Sequence, residues 1–466
     1  MSQINVLHAI INGLALSVPF FTTAPSILFA VTAVHLAYYQ LFRQVMVSII
    51  LFSISFWSLL PYPSVVKFAL AVLSLTGFLF TTVLFPPLQL PRPTGKYSVG
   101  VIDRYVKKSS TLKSKFSNES YVNIRILYPA EAASGETTEI PYQPLGSAIC
   151  DQFMAFGAPG PLKKLGGLLH YWLLITVPFQ RNASLVVSKD KFPVVVYSHG
   201  LGGSNSLYSY QAGQLASNGY VTILVEHSDG SAPLTKAQDG HIIEHDMTMY
   251  PLRETEKGAW DTPPYVKQRR EQLEVRVHEV IEAAKFAMKT LPSEARFKGR
   301  LEVKKGVHLV GHSFGGATVL SAAARHEKIV KSVIAHDPAV DWMTDDSRYN
   351  LLKDSGHDGS GGYEEFDEEA TGLEKTPTLM MYCDDWVRTG FGHNFVTIDR
   401  LNNGASGGKG SKGVVMDDMR HFEFSDNCLI QPVWLSKALN FSGSDPEGRA
   451  ADTAKLTLDF LDTHTA

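Results

Sequence analysis

Residues 307–320 read VHLVGHSFGGATVL. A short apolar run, Val307 to Val310, passes directly into Gly311-His312-Ser313-Phe314-Gly315-Gly316 and then into a run of small residues that suits a helix. A strand ending so abruptly in a helix forces Ser313 onto a strained turn whose neighbours must be small. Gly311 and Gly315 leave room for the chain to pass itself, so the Ser313 hydroxyl is expected to project from the edge of a sheet. The pattern alone is weak, because a second Gly-x-Ser-x-Gly stands at Gly404, Ser406 and Gly408. That copy lies in a Gly-rich stretch with no strand before it. Context selects Ser313 and rejects Ser406.

The chain has 466 residues, enough for one large domain with an appendage. Its 43 Lys and Arg against 46 Asp and Glu leave a net charge of −3, which offers no electrostatic footing for nucleic acid. Cys150, Cys383 and Cys428 are far apart and odd in number, so they read as free thiols. Neither Cys-x-x-Cys nor His-Glu-x-x-His occurs, and neither a metal nor another cofactor is expected.

The first 91 residues are different material. They hold no Asp or Glu, and Arg43 and Lys67 are the only Lys or Arg. Apolar stretches at 26–42, 45–61 and 68–86 approach bilayer length, and 6–22, broken by Pro19, is a weaker fourth. Residues 1–91 are therefore expected to form a transmembrane region of three or four helices, with 92–466 as the catalytic domain. Arg43 and the cations from Arg92 to Lys108 fall on one side of the membrane whichever count holds. The positive-inside rule makes that side cytosolic, giving a multi-pass integral membrane protein with a cytosolic catalytic domain. Three glycosylation sequons, at Asn118, Asn182 and Asn440, argue the other way.

Beyond the prolines at 86, 87, 91 and 93, residues 121–128 alternate like an outer strand. Residues 192–198 and 221–225 are short β-branched runs suited to buried strands. Residues 208–217 have helical spacing, and 264–291 carry one apolar face of a long amphipathic helix. A strand at 307–310, a helix at 315–325, strands at 329–335 and 377–382 and a helix after about 450 complete the alternation. Alternating strands and helices predict a mostly parallel sheet covered on both faces, and the elbow makes it an α/β-hydrolase fold. Residues 347–375, rich in Glu, Asp, Gly and Ser, read as an acidic, solvated insert; 402–413 reads as a second inserted loop.

Acyl transfer by a serine needs a base, an acid that orients it, and donors for the oxyanion, usually in the chain order Ser, Asp, His on this fold. His421, in Met419-Arg-His-Phe-Glu-Phe424, is the best-placed base. His312 is expected to point away from the reacting centre, His336 precedes an Asp, and His393 is a rival in a loop. For the acid, Asp337 follows one strand, Asp384 and Asp385 follow the next, and Asp341 is a further alternative. The residues leave that choice open. One oxyanion donor should be the amide of Phe314. The other should come from the loop His199-Gly-Leu-Gly-Gly203.

Ser198-His-Gly-Leu-Gly, Leu207-Tyr-Ser, Leu215-Ala-Ser-Asn-Gly-Tyr, Val225-Glu-His-Ser-Asp-Gly-Ser-Ala and Gly311-His-Ser-Phe-Gly-Gly follow in order. Together they resemble the platelet-activating factor acetylhydrolase family, the lipoprotein-associated phospholipase A2 group, over roughly residues 97–445. The resemblance implies a calcium-independent serine esterase that removes short or oxidised acyl groups from the sn-2 position of phospholipids. It implies Ser313 as nucleophile, His421 as base, and the Leu201 and Phe314 amides as oxyanion donors. It favours Asp337 over Asp385 as the acid, through Ala335-His-Asp-Pro-Ala-Val-Asp-Trp-Met343. The spacing departs from the family, since Asp341 directly precedes Trp342, and Asp341 stays an alternative. Residues 162–178 fall where this family carries an interfacial helix, with Leu, Trp and Val at helical spacing behind Lys163 and Lys164.

The expected partners are a phospholipid substrate and a bilayer, with no nucleic acid; nothing indicates the oligomeric state. Two other readings compete: a general carboxylesterase, lipase or acyltransferase on non-phospholipid esters, and a non-catalytic membrane protein carrying a hydrolase-like domain. The last should lack a member of the serine constellation, and none is missing.

Overall fold

The computed structural model describes residues 89–110, 112, 114–132, 140–157, 172–173, 175–187, 191–244, 263–343, 372–389 and 394–465. The expected membrane spans, most of the segment at 162–178, His393 and nearly all of the acidic insert lie outside these residues. Among the described residues no helix is long and apolar enough to cross a membrane.

Eight main strands build one sheet: β1 (Ser98–Lys107), β2 (Tyr121–Ala130), β3 (Phe192–Ser198), β4 (Val221–Glu226), β5 (Val307–His312), β6 (Val330–His336), β7 (Thr378–Cys383) and β8 (Lys412–Met416). Their spatial order is β1-β2-β4-β3-β5-β6-β7-β8. The pairs β1 with β2 and β2 with β4 are antiparallel, and from β4 through β8 every pair is parallel. This is the mostly parallel, twice-covered sheet of an α/β hydrolase. Strand β1 was not foreseen. Its sequence, SVGVIDRYVK, breaks its apolar run with Asp103, Arg104 and Lys107, and it pairs with β2 over its full length. That pairing buries β2, which the alternation had suggested for an outer strand.

The strands feed two cores by their period of two. Val194, Val196, Leu309, Val333 and Met380 face one side, against helices α2 (Pro263–Lys289) and α3 (Phe314–Arg325). Val195, Tyr197, Val310, Ile334 and Met381 face the other, against α1 (Ser209–Ser217) and α4 (Pro446–Thr465). Each such fully buried aliphatic side chain contributes about 1.5–3 kcal/mol relative to exposure. With both faces covered, the parallel strands have no polar alternation, which explains why they read as continuous apolar runs.

One expectation changes. Trp172 is buried and lies edge-on to Phe153 at 5.3 Å, and Val177 is buried in a short strand paired with Ile140. These two residues of segment 162–178 therefore pack inside the domain and do not lie on its surface. Ser406, the decoy, is buried in the turn between Asn394–Asn402 and β8, far in sequence from any strand-to-helix elbow.

Candidate active site

Ser313 joins β5 to α3 with φ 57° and ψ −118°. A serine held there costs about 1–3 kcal/mol and persists only where packing over-determines it. The packing is visible at the glycines. A Cβ on Gly311 would collide with the Gly315 carbonyl, and one on Gly315 with the Ser198 carbonyl of the neighbouring strand. The Ser313 amide donates to His336 O at 2.8 Å, so the turn is stitched to the end of β6. Ser313 is 8% exposed, reachable but largely enclosed.

One residue past β6, Asp337 also has positive φ, 40°. Its carboxylate is buried and occupied at both oxygens: Oδ1 accepts the Cys383 amide at 2.8 Å, and Oδ2 lies 2.9 Å from His421 Nδ1. Burial, then the neighbouring Asp337 charge, pushes the Cys383 thiol up, so it is an inert neighbour. His421 opens a short turn, His421–Phe424, whose Glu423 carboxylate accepts the Arg420 amide at 2.6 Å and the Gly443 amide at 2.9 Å. Trp386 stacks on the His421 ring at 4.5 Å and 6°. Held by Asp337 through Nδ1, the imidazole keeps Nε2 as the nitrogen for proton exchange with a hydroxyl.

The alternative acids are elsewhere. Asp385 pairs with Arg388 at 2.6 Å and with Arg420 Nε at 3.2 Å, on the rim next to the histidine turn. Asp341 lies in the short helix Val340–Trp342 beyond the end of β6. Neither contacts His421 among the described interactions.

His312 does not point away from the centre. Its ring lies 4.5 Å from that of His421, and its Nδ1 is 2.8 Å from the Tyr208 hydroxyl, which accepts the Gly200 amide at 2.9 Å. Burial, then the nearby His421 and His336, holds His312 well below the usual histidine range, so it is neutral beside His421. His336 is buried as well, stacked on Phe424 at 5.0 Å, with burial lowering it to about 3. The donor atoms of His312, Asp337 and His421 all lie within 4.8 Å of one another. The 2.9 Å between Asp337 and His421 is a hydrogen-bond separation, shorter than two ligands of one tetrahedral zinc would keep.

The loop after β3 passes directly over the serine: a Cβ on Gly200 would stand 3.1 Å from Ser313 Cβ. Within it, Gly202 N donates to Ser231 O at 2.8 Å and Gly203 N to Gly200 O at 3.0 Å, while Leu201 N has no acceptor among the described residues. The Phe314 amide opens α3 and, as the first of the helix, has no intrahelical acceptor. Two amides without an acceptor among the described residues, one on the loop that crosses Ser313 and one directly after it, are suited to a developing oxyanion.

A second Ser-His-acid chain lies behind this loop: Ser198 Oγ to His227 Nε2 at 2.8 Å, and His227 Nδ1 to Glu279 at 2.9 Å. All three residues are fully buried and Lys108 also pairs with Glu279, so no substrate reaches them. Sequence reasoning missed this set, along with Tyr208 and Arg276. A signal existed. Arg269, Gln272, Arg276 and Glu279 recur at helical spacing on α2, forming a polar stripe beside the apolar one, and all four are buried.

The family model described as "Platelet-activating factor acetylhydrolase, isoform II" matches residues 83–350, more than half of the chain. The chain belongs to this family. The match takes in Ser313 and Asp337 and ends within the first residues of the acidic insert; His421 falls within a second match, to the prolyl oligopeptidase family over residues 301–442. Among curated relatives, the platelet-activating factor acetylhydrolase of Cavia porcellus is 30% identical over 285 residues, covering 58% of each chain. That of Canis lupus familiaris is 29% identical over 282 residues, covering 57% of this chain and 58% of the relative. The chain thus spans a little under three-fifths of the length of these relatives. Among solved structures, a ferulic acid esterase from Streptomyces cinnamoneus superposes with a TM-score of 0.51 at 16% identity, covering 81% of this chain and 93% of that one. At that identity the likeness concerns the fold.

Proposed function

We propose that the chain is a membrane-anchored, calcium-independent serine esterase that hydrolyses the short or oxidised sn-2 acyl group of phospholipids. The observation that carries this reading is the 2.9 Å bond between His421 and Asp337 at an elbow whose serine is held at positive φ. In this reading Ser313 Oγ attacks the sn-2 carbonyl carbon while His421 Nε2 takes its proton. The Leu201 and Phe314 amides hold the oxyanion. His421 then returns the proton to the departing lysophospholipid oxygen, and water repeats the cycle on the acyl-serine.

Membership of the acetylhydrolase family supports a phospholipid ester as the substrate. So do exposed apolar side chains on the segment that follows the histidine. Phe422, the next residue, is 40% exposed, and Val433, Trp434 and Leu439 on and after the helix Val433–Ala438 are 44–49% exposed. Large exposed apolar groups along one segment suit a lipid surface better than a water-soluble ester. The nearly charge-free residues 1–91 support the anchor, and the cations after residue 91 support a cytosolic catalytic domain.

The test is a panel of phosphatidylcholines differing in the sn-2 chain, from acetyl to long-chain, assayed with and without EDTA. Preferential release of short chains, unchanged by EDTA, is expected. Equal cleavage of long chains, or loss of activity restored by calcium or zinc, would reject it.

A further inference from the structure

The amphipathic helix α2 places one cation, Arg276, at the junction of the elements that carry the two oxyanion amides. Its guanidinium is fully buried. Nη2 donates to the carbonyl of His199, two residues before Leu201, and lies 3.4 Å from Ser198 Oγ. Nη1 donates to Ser231 Oγ, and the carbonyl of that same Ser231 accepts the Gly202 amide at 2.8 Å. The loop is thus pinned on both sides of Leu201, at His199 directly and at Gly202 through Ser231. On the other side, Nε donates to Thr318 Oγ1 at 3.1 Å, and the guanidinium lies 4.5 Å over the Phe314 ring. Phe314 and Thr318 occupy the first turns of α3, whose leading amide is the second donor.

From this geometry we infer that Arg276 is a positioning residue that holds the Leu201 and Phe314 amides in register for the oxyanion. The inference rests on the serine-esterase reading of the site. A planar guanidinium with five donors can hold the loop, Ser231 and Thr318 at once; an ammonium on a flexible stem cannot keep that fork. Arg276 is fully buried, and its described partners do not include Ser313. Its effect should appear where the carbonyl oxygen becomes an anion and not where the ester merely binds. Loss of one well-placed oxyanion donor lowers turnover by about 10²–10³-fold, and displacement of both amides should fall in that range.

The test uses the full chain and a water-soluble p-nitrophenyl ester, comparing wild type with Arg276→Met, Arg276→Lys and Ser231→Ala. Arg276→Met should lower kcat by roughly 10²-fold or more with KM changed less than about threefold. A trifluoromethyl ketone that forms a tetrahedral adduct should weaken in the same proportion, while a non-hydrolysable ether analogue binds as before. Arg276→Lys should recover only part of kcat. If Arg276→Met does not fold, Ser231→Ala removes a single contact of the fork and should show the same kcat-selective loss, smaller in size. A loss confined to KM, or an unchanged ketone affinity in a variant of lower thermal stability, would make Arg276 a structural ion only. Ser313→Ala runs beside these: if it stays active the esterase reading itself fails, whereas an inactive Ser313→Ala with unaffected Arg276 and Ser231 variants overturns this inference alone.

Discussion

Nδ1 of His421 lies 2.9 Å from Oδ2 of Asp337, joining a turn near the end of the domain to the tip of β6, 84 residues earlier in the chain. The separation discriminates among three aspartates. Asp337 is buried and fixed by the Cys383 amide, whereas Asp385 is tied to Arg388 and Arg420. Asp337→Asn should keep the fold and lose about 10²–10⁴-fold in kcat, because the amide favours the wrong histidine tautomer. Asp385→Asn and Asp341→Asn should stay within about tenfold of wild type, Asp385 acting through the placement of Arg420. Steady-state kinetics on the three variants separates them, and collapse of Asp341→Asn with an active Asp337→Asn would reassign the acid.

The elbow and its decoy predict opposite responses. Gly315→Ala drives a Cβ into the Ser198 backbone, which cannot swing aside, so the variant should lose on the order of 3–5 kcal/mol or fail to fold. Ser406 is buried with no partner for its hydroxyl among the described residues, so Ser406→Ala should leave stability within about 1 kcal/mol or raise it slightly, with activity intact. Thermal melts of the two purified variants check both statements.

Much of this arrangement was legible before any coordinate. The elbow, strand β3, helices α2 and α3 and the Ser, Asp, His order follow from apolar periodicity and glycine placement, because those elements are buried on both faces or along one stripe. Strand β1 was hidden by its three charges, one of which, Asp103, pairs with Arg125 across the sheet at 2.7 Å. The choice of Asp337 was not decidable from residue order, since both strand ends present a carboxylate and only the chain's return at His421 selects one. Tyr208, Arg276 and Glu279 escaped notice because polar residues on a helix read as its solvent face, and three-dimensional packing buries them here.

Stability should decline on acidification from about pH 6.5 downward, above the carboxylate range. His227, His308, His312 and His336 are all held below the ordinary histidine range, chiefly by burial, with His308 and His336 at about 3. A depressed folded-state pKa means the unfolded chain binds the proton more readily. The stabilising contribution is therefore complete above the unfolded value and is lost as pH falls toward the folded one. Each such group lowers stability by up to about 1.4 kcal/mol per pH unit below about 6.5. Denaturant melts from pH 8 to pH 5 should show a midpoint constant above pH 7 and falling below it; a flat midpoint down to pH 5 would contradict this.

Deleting residues 1–91 should yield protein that cleaves a water-soluble ester yet works poorly on membrane phospholipid, because an anchored enzyme meets its substrate in two dimensions. In sealed microsomes, added protease should digest the catalytic domain. Asn118, Asn182 and Asn440 are all exposed in the fold, so the absence of glycan on them would report the compartment and not steric shielding. A protected domain sensitive to endoglycosidase would place the chemistry in the lumen.

The most direct measurement is acetate release from an sn-2-acetyl phosphatidylcholine by wild type and by Ser313→Ala, with fluorophosphonate labelling of both. The account predicts hydrolysis and labelling by the wild type, and for Ser313→Ala a fall of about 10⁴–10⁶-fold in turnover with no label. Comparable hydrolysis or persistent labelling in Ser313→Ala would contradict it.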